Sequence, residues 1–80
     1  MTIQQKVTKV KKILPKHYKV IGDPEDNSIN CKSNIGISDA GVEKEWKDTF
    51  KKIKTSFNDF LEVFHSTCTN HSDFTIYFKQ

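Results

Sequence analysis

Arginine is absent from this 80-residue chain, although thirteen lysines set against ten acids give a net charge of +3. Arginine supplies the commonest bidentate contact to guanine, so base-specific reading of DNA by that route is excluded. Long apolar runs are missing as well. None approaches the ~20 residues that a membrane span requires. The opening stretch, MTIQQKVTKVKKIL, disperses lysines among its apolar residues, whereas a secretory signal segregates them. These features predict no targeting segment, no membrane association and a cytoplasmic location, that of the host cell if the source is viral. Cysteine is limited to Cys31 and Cys68. Without a secretion signal, two cysteines predict a reducing compartment and free thiols.

Other scarcities concern origin and chemistry. A single alanine (Ala40) and two leucines accompany eight isoleucines. Lysine, isoleucine and asparagine have A/T-rich codons, so this bias predicts an A/T-rich source genome, as in many phages, viruses and some bacteria. There is no glycine-rich phosphate loop, no GxSxG and no HExxH. The chain is therefore not expected to be an enzyme or to carry a cofactor. Its size points the same way: a chain this short buries about 60% of its unfolded surface, enough for one core without a deep cleft. Residues 1–80 are expected to form one small globular domain.

Hydrophobic periodicity supplies the predicted elements. Thr2 and Gln5 form a capping-box pattern, and Ile3, Val7, Val10 and Leu14 share one helical face. Pro15 ends that helix, which is predicted over 3–14. Tyr18 and Val20 suit a strand over 17–22, and DPEDN at 23–27 is turn chemistry. Ile29, Cys31, Ser33, Ile35 and Ile37 alternate as one buried strand face. Ser38 or Asp39 can cap a second helix. Val42, Trp46, Phe50, Ile53, Phe57, Phe60, Leu61 and Phe64 then keep helical spacing, within an arc of roughly 100°. Phe74, Ile76 and Phe78 alternate in a final strand.

The resulting expectation is an α+β two-layer sandwich in α-β-β-α-β order. Its three-stranded antiparallel sheet has order 2-1-3, and both helices lie on one face. That arrangement leaves Lys19, Ile21, Lys32, Thr75, Tyr77 and Lys79 on the open face. Carboxylates such as Asp48, Asp59 and Glu62 fall on solvent-facing positions of the long helix.

The charge layout is the main guide to function. Residues 1–22 carry six lysines and no acid until Asp23. Lys44, Lys47, Lys51 and Lys54 form a stripe beside the apolar arc of the long helix. With Lys9 and Lys12 of the first helix they make a basic surface suited to an acidic protein partner. The first expectation is a small non-enzymatic protein-interaction module, of which a phage or mobile-element inhibitor of a host protein is one form. The second is a sequence-indifferent nucleic-acid binder that grips backbone phosphates through the same lysines, or through Lys19, Lys32, Tyr77 and Lys79 on the open sheet face. A homodimer through strand 2 or the open face is a further option. The third expectation is a metal or catalytic site built from Cys31, His65, Cys68 and His71. It ranks last because the even spacing in HSTCTNH (65–71) lacks the paired close ligands of a zinc site. On this reading the segment is the end of the long helix, with His65 near the negative dipole end and Asn70 as the left-handed stop.

Overall fold

The first helix forms where its cap dictates. In the computed structural model, α1 spans Ile3–Ile13. Thr2 Oγ1 accepts from the Gln5 amide at 3.2 Å, and Gln5 Oε1 accepts from the Thr2 amide at 2.9 Å, which closes the capping box. Lys11 and Lys12 occupy the last turn, where the helix dipole favours cations. The structure describes residues 1–37, 41, 44, 46–67 and 70–80. The expected cap at Ser38 or Asp39 and the start of the apolar arc at Val42 lie outside the described residues.

Strand β1 (Lys19–Asp23) and strand β2 (Ser28–Ser33) make the expected hairpin. Asp23 Oδ1 accepts from the amides of Glu25 and Asp26, and Asn27 takes the left-handed conformation at φ 51°. Strand β2 stops at Ser33, so Ile35 and Ile37 fall beyond it.

Helix α2 spans Lys47–Ser56, and the chain then becomes a strand, β3, over Phe60–Thr67. The predicted helix therefore does not reach Phe64: it ends at Ser56, and its last part is a strand. The cause lies in Thr55, Ser56, Asn58 and Asp59, a cluster of turn-forming residues inside the apolar pattern. The spacing misleads because Phe60 and Val63, three apart, also lie on one face of a strand. A β-bulge between Phe60 and Glu62 supplies the extra residue that puts both against the core.

Strand β4 (Ser72–Phe78) completes a four-stranded antiparallel sheet of order β1-β2-β4-β3. The predicted sheet of three strands in order 2-1-3 is corrected on both counts. The final strand pairs with β2, not β1. The two strands that present an apolar row, Ile29 and Cys31 on β2 and Phe74, Ile76 and Phe78 on β4, take the centre, where burial is greatest. Strand 2 is therefore internal, and the edges are β1 and β3.

The α+β two-layer class holds, with the helices over one face. Trp46, at the start of α2, stacks on Phe74 at 3.9 Å between centroids and 16° between planes. Phe57, just after α2, meets Phe78 edge-on at 5.1 Å. From α1, Val7 and Val10 join the same core. Helix α1 crosses close over β1 at Gly22, where a Cβ would lie 2.8 Å from Val7 Cγ2. The glycine is needed for space. No described helix is long and apolar enough to cross a membrane.

One charged side chain is built into this core. Lys6 is only 4% exposed. Its ammonium pairs with Asp59 and lies 4.0 Å from the Phe78 ring centroid. Asp59 is consequently not a solvent-facing helix carboxylate. It sits in the turn after α2, where the hydrogen bond from Lys6 holds its carboxyl below the usual range despite some desolvation. Asp59→Asn should cost about 2 kcal/mol, because it leaves Lys6 buried without its counter-ion, an effect moderated by the partial exposure of Asp59. Lys6→Met in the Asp59→Asn background should recover most of that loss, as read by urea denaturation. A carboxyl with a lowered folded pKa stabilises the fold above its unfolded pKa. In the wild type this contribution should disappear as pH falls through the folded value, and in Asp59→Asn it should be missing at every pH.

Candidate interaction surfaces

The two layers present different outer surfaces. On the helical layer, Trp46, Phe50 and Ile53 point α2 toward the core, which turns Lys47, Lys51 and Lys54 outward along one flank. All three are exposed, as are Lys44 and Lys12. Lys9 is differently placed. It is half-buried, its Nζ donates to the Ser56 carbonyl at 3.1 Å, and it lies 5.4 Å from the Phe57 ring centroid. Among the described residues the ion pairs are Lys6–Asp59 and Lys32–Asp73, and neither involves the α2 lysines.

The outer face of the sheet is set by register. Lys19 opposes Lys32, Ile21 opposes Asn30, and across the next pair Lys32 opposes Asp73 while Asn30 opposes Thr75. The predicted open-face residues Lys19, Ile21, Lys32, Thr75 and Tyr77 do share this side, and Lys79 follows the end of β4. The middle of the face is polar and tied together. Asn30 Nδ2 donates to Asp73 Oδ1 at 2.7 Å and to Thr75 Oγ1 at 3.0 Å, while Lys32 lies 3.9 Å from Asp73. Asp23 and Glu62 add further negative charge, so the face is mixed in sign and offers phosphate no continuous positive track.

Toward the β3 edge the surface turns apolar. Phe64 is 58% exposed and Leu61 51%. The Phe64 ring meets Tyr77 edge-on at 5.7 Å. Sequence reasoning missed this edge by assigning Leu61 and Phe64 to a buried helical stripe. The available signal was the composition of FLEVFHST, rich in aromatic and β-branched residues directly after a turn cluster.

The cysteine and histidine candidates do not converge where the structure describes them. Cys31 is buried on the core face of β2, and burial, with the nearby Asp73 charge adding to it, pushes its thiol up to about 12. His65 lies on β3 and not at the end of α2. Cys31 and His65 both oppose Phe74, from either side. Two steps of strand spacing put them about 10 Å apart, with the Phe74 column between. His71 is exposed, with Nδ1 3.2 Å from Asn70 Oδ1. His65, Ser66 and Thr67 of HSTCTNH thus belong to β3 and not to a helix end, while Asn70 and His71 directly precede β4. Cys68 lies outside the described residues. Among the described residues no three His, Cys, Asp or Glu side chains group as ligands.

A cavity of about 180 Å³ is lined by residues that include His17, Tyr18, Ile35 and Trp46. Two of its lining side chains, His17 and Tyr18, are engaged by serines of the sheet. His17 Nδ1 and Ser33 Oγ share a hydrogen bond of 2.7 Å, and Tyr18 Oη and Ser72 Oγ share one of 3.0 Å. Ser72 in turn donates to the Ile35 carbonyl at 2.9 Å. This network clips the segment after β2 to β4.

Comparison with protein-family models, curated proteins and solved structures found no match.

In a Cys68→Ser background the remaining thiol, Cys31, should be unreactive toward a thiol reagent under native conditions. Its modification rate should rise with urea in step with unfolding, because a buried thiol with a raised pKa supplies almost no accessible thiolate. Rapid native modification would show that the β2 core opens locally.

Proposed function

We propose that the protein is a small non-enzymatic interaction module that recruits or occludes an acidic protein partner. Its docking surface is the lysine flank of α2, formed by Lys47, Lys51 and Lys54, with Lys44 ahead of the helix and Lys12 on α1. One observation carries the reading: these lysines are exposed, and the ion pairs among the described residues involve other lysines. An ammonium already held inside the fold has little attraction left for a partner. One left in water keeps its long-range field and can steer an acidic surface into contact. Lys9 is excluded from the set because the corner after α2 uses it. Small size and a lysine-rich, arginine-free composition suit a phage or mobile-element inhibitor of a host protein.

The runner-up is sequence-indifferent binding of nucleic acid through the same amines. Fluorescence anisotropy with a labelled polyglutamate peptide and a labelled DNA duplex, each at low and moderate salt, separates the two. Polyglutamate binding that weakens with salt is expected. The triple change Lys47→Glu, Lys51→Glu and Lys54→Glu should weaken it about tenfold or more and leave the circular dichroism unchanged. Reversing Lys11, Lys16 and Lys19 alters net charge equally and should cost much less. Tighter, steeply salt-dependent duplex binding would transfer the function to nucleic acid. Equal losses in the two triple variants would reduce the flank to overall charge.

A further inference from the structure

A different observation, at the free edge of the sheet along β3, points to a second copy of this chain. Of the thirteen lysines none lies between Lys54 and Lys79, so residues 55–78 hold three acids and no lysine. That stretch includes the whole β3–β4 hairpin. Two of its acids are already answered, Asp59 by Lys6 and Asp73 by Lys32. Glu62 is the only charged residue along the eight residues of β3, apart from a histidine.

Exposed strand edges template association, and proteins guard them with lysine, proline, short length or bulges. Strand β1 is guarded: it has five residues, including Lys19 and Asp23. Strand β3 is longer, contains neither lysine nor proline, and its bulge lies at its first residues, between Phe60 and Glu62. The remainder, Val63 to Thr67, is a regular edge that carries the most exposed aromatic ring of the core-forming half, Phe64. Neither β3 nor its partner β4 adds a lysine to that edge of the sheet.

We propose that the chain forms a two-fold dimer by antiparallel pairing of β3 with β3 of a second copy, centred on Phe64. Opposed residues in such a pair must share a face, and this register satisfies that rule. Phe64 meets Phe64 of the copy, Glu62 meets Ser66, and Val63 meets His65. No like charges oppose. The Phe64–Tyr77 edge contact, doubled by symmetry, becomes a row of four rings across the joined sheets. The pairing is isologous, so it closes at two copies. The ladder is short, so the interface falls below the ~1,200 Å² at which standard-size complexes begin, and a weak, concentration-dependent dimer is expected. This proposal is independent of the lysine flank, which lies on the other layer.

Sedimentation equilibrium under reducing conditions, from micromolar to near-millimolar protein, tests it. The wild type should shift from monomer to dimer mass across that range. Phe64→Lys, which places two cations face to face, should remain monomeric with an unchanged melting temperature at low concentration, since Phe64 is largely exposed in the monomer. Ser66→Lys sets a cation opposite Glu62 twice and should tighten the dimer about threefold, whereas Ser66→Glu should weaken it. Ile21→Lys, on the β1 side of the same face, should change nothing. A wild type that stays monomeric at the highest concentration overturns the proposal. So does a Phe64→Lys dimer, or growth beyond two copies, which would indicate β3–β1 chaining. Dimerisation with no response at Ser66 overturns the register.

Discussion

The fold depends on a corner. Between α2 and β3 the chain must stop being a helix and turn back into the sheet within three residues, and it does so beneath α1. Lys9 donates to the last carbonyl of α2, and Lys6 pairs with Asp59 in the turn itself while its ammonium lies over Phe78. Helix ends leave carbonyls without partners, and here one of them is answered by a lysine from another helix. Two cations of α1 thus connect the N-terminal helix, the end of α2 and the last residues of β4. Without that fastening, the apolar spacing from Phe57 to Phe64 fits a continued helix as well as it fits a strand.

That ambiguity accounts for which parts were legible in the sequence. The capping box at Thr2 and Gln5, the stop at Pro15, the DPEDN turn and the alternation of Phe74, Ile76 and Phe78 were all readable, because each depends on neighbours in the chain. The break after Ser56 was marked by Thr55, Ser56, Asn58 and Asp59, but four well-spaced apolar residues beyond it outweighed the polar cluster. The bulge at Phe60 completed the disguise by giving a strand the three-residue spacing of a helix. Strand order was not legible, because it follows from the hidden strand: once β3 pairs with β4, β1 is left at the opposite edge.

The candidate surfaces divide the same way. Exposure of Lys47, Lys51 and Lys54 follows from helical phase and was readable. The separate fate of Lys6 and Lys9 was not, since their partners lie about fifty positions away. A run of lysines in sequence is therefore not one surface in space: some amines hold the corner, and others face solvent. Likewise HSTCTNH has metal-like spacing as text, but its first three residues form the end of a strand. His65 is separated from Cys31 by the Phe74 column.

Clustering of every lysine outside the β3–β4 hairpin also has a practical consequence. Trypsin cuts after lysine and arginine, and within residues 55–78 it finds neither. Digestion should therefore release the entire hairpin as one long fragment ending at Lys79, while the helical layer is cut into short pieces. Peptide mass mapping will report the sheet edge as a single block. Resolving its individual amides requires a protease that cuts at aromatic side chains.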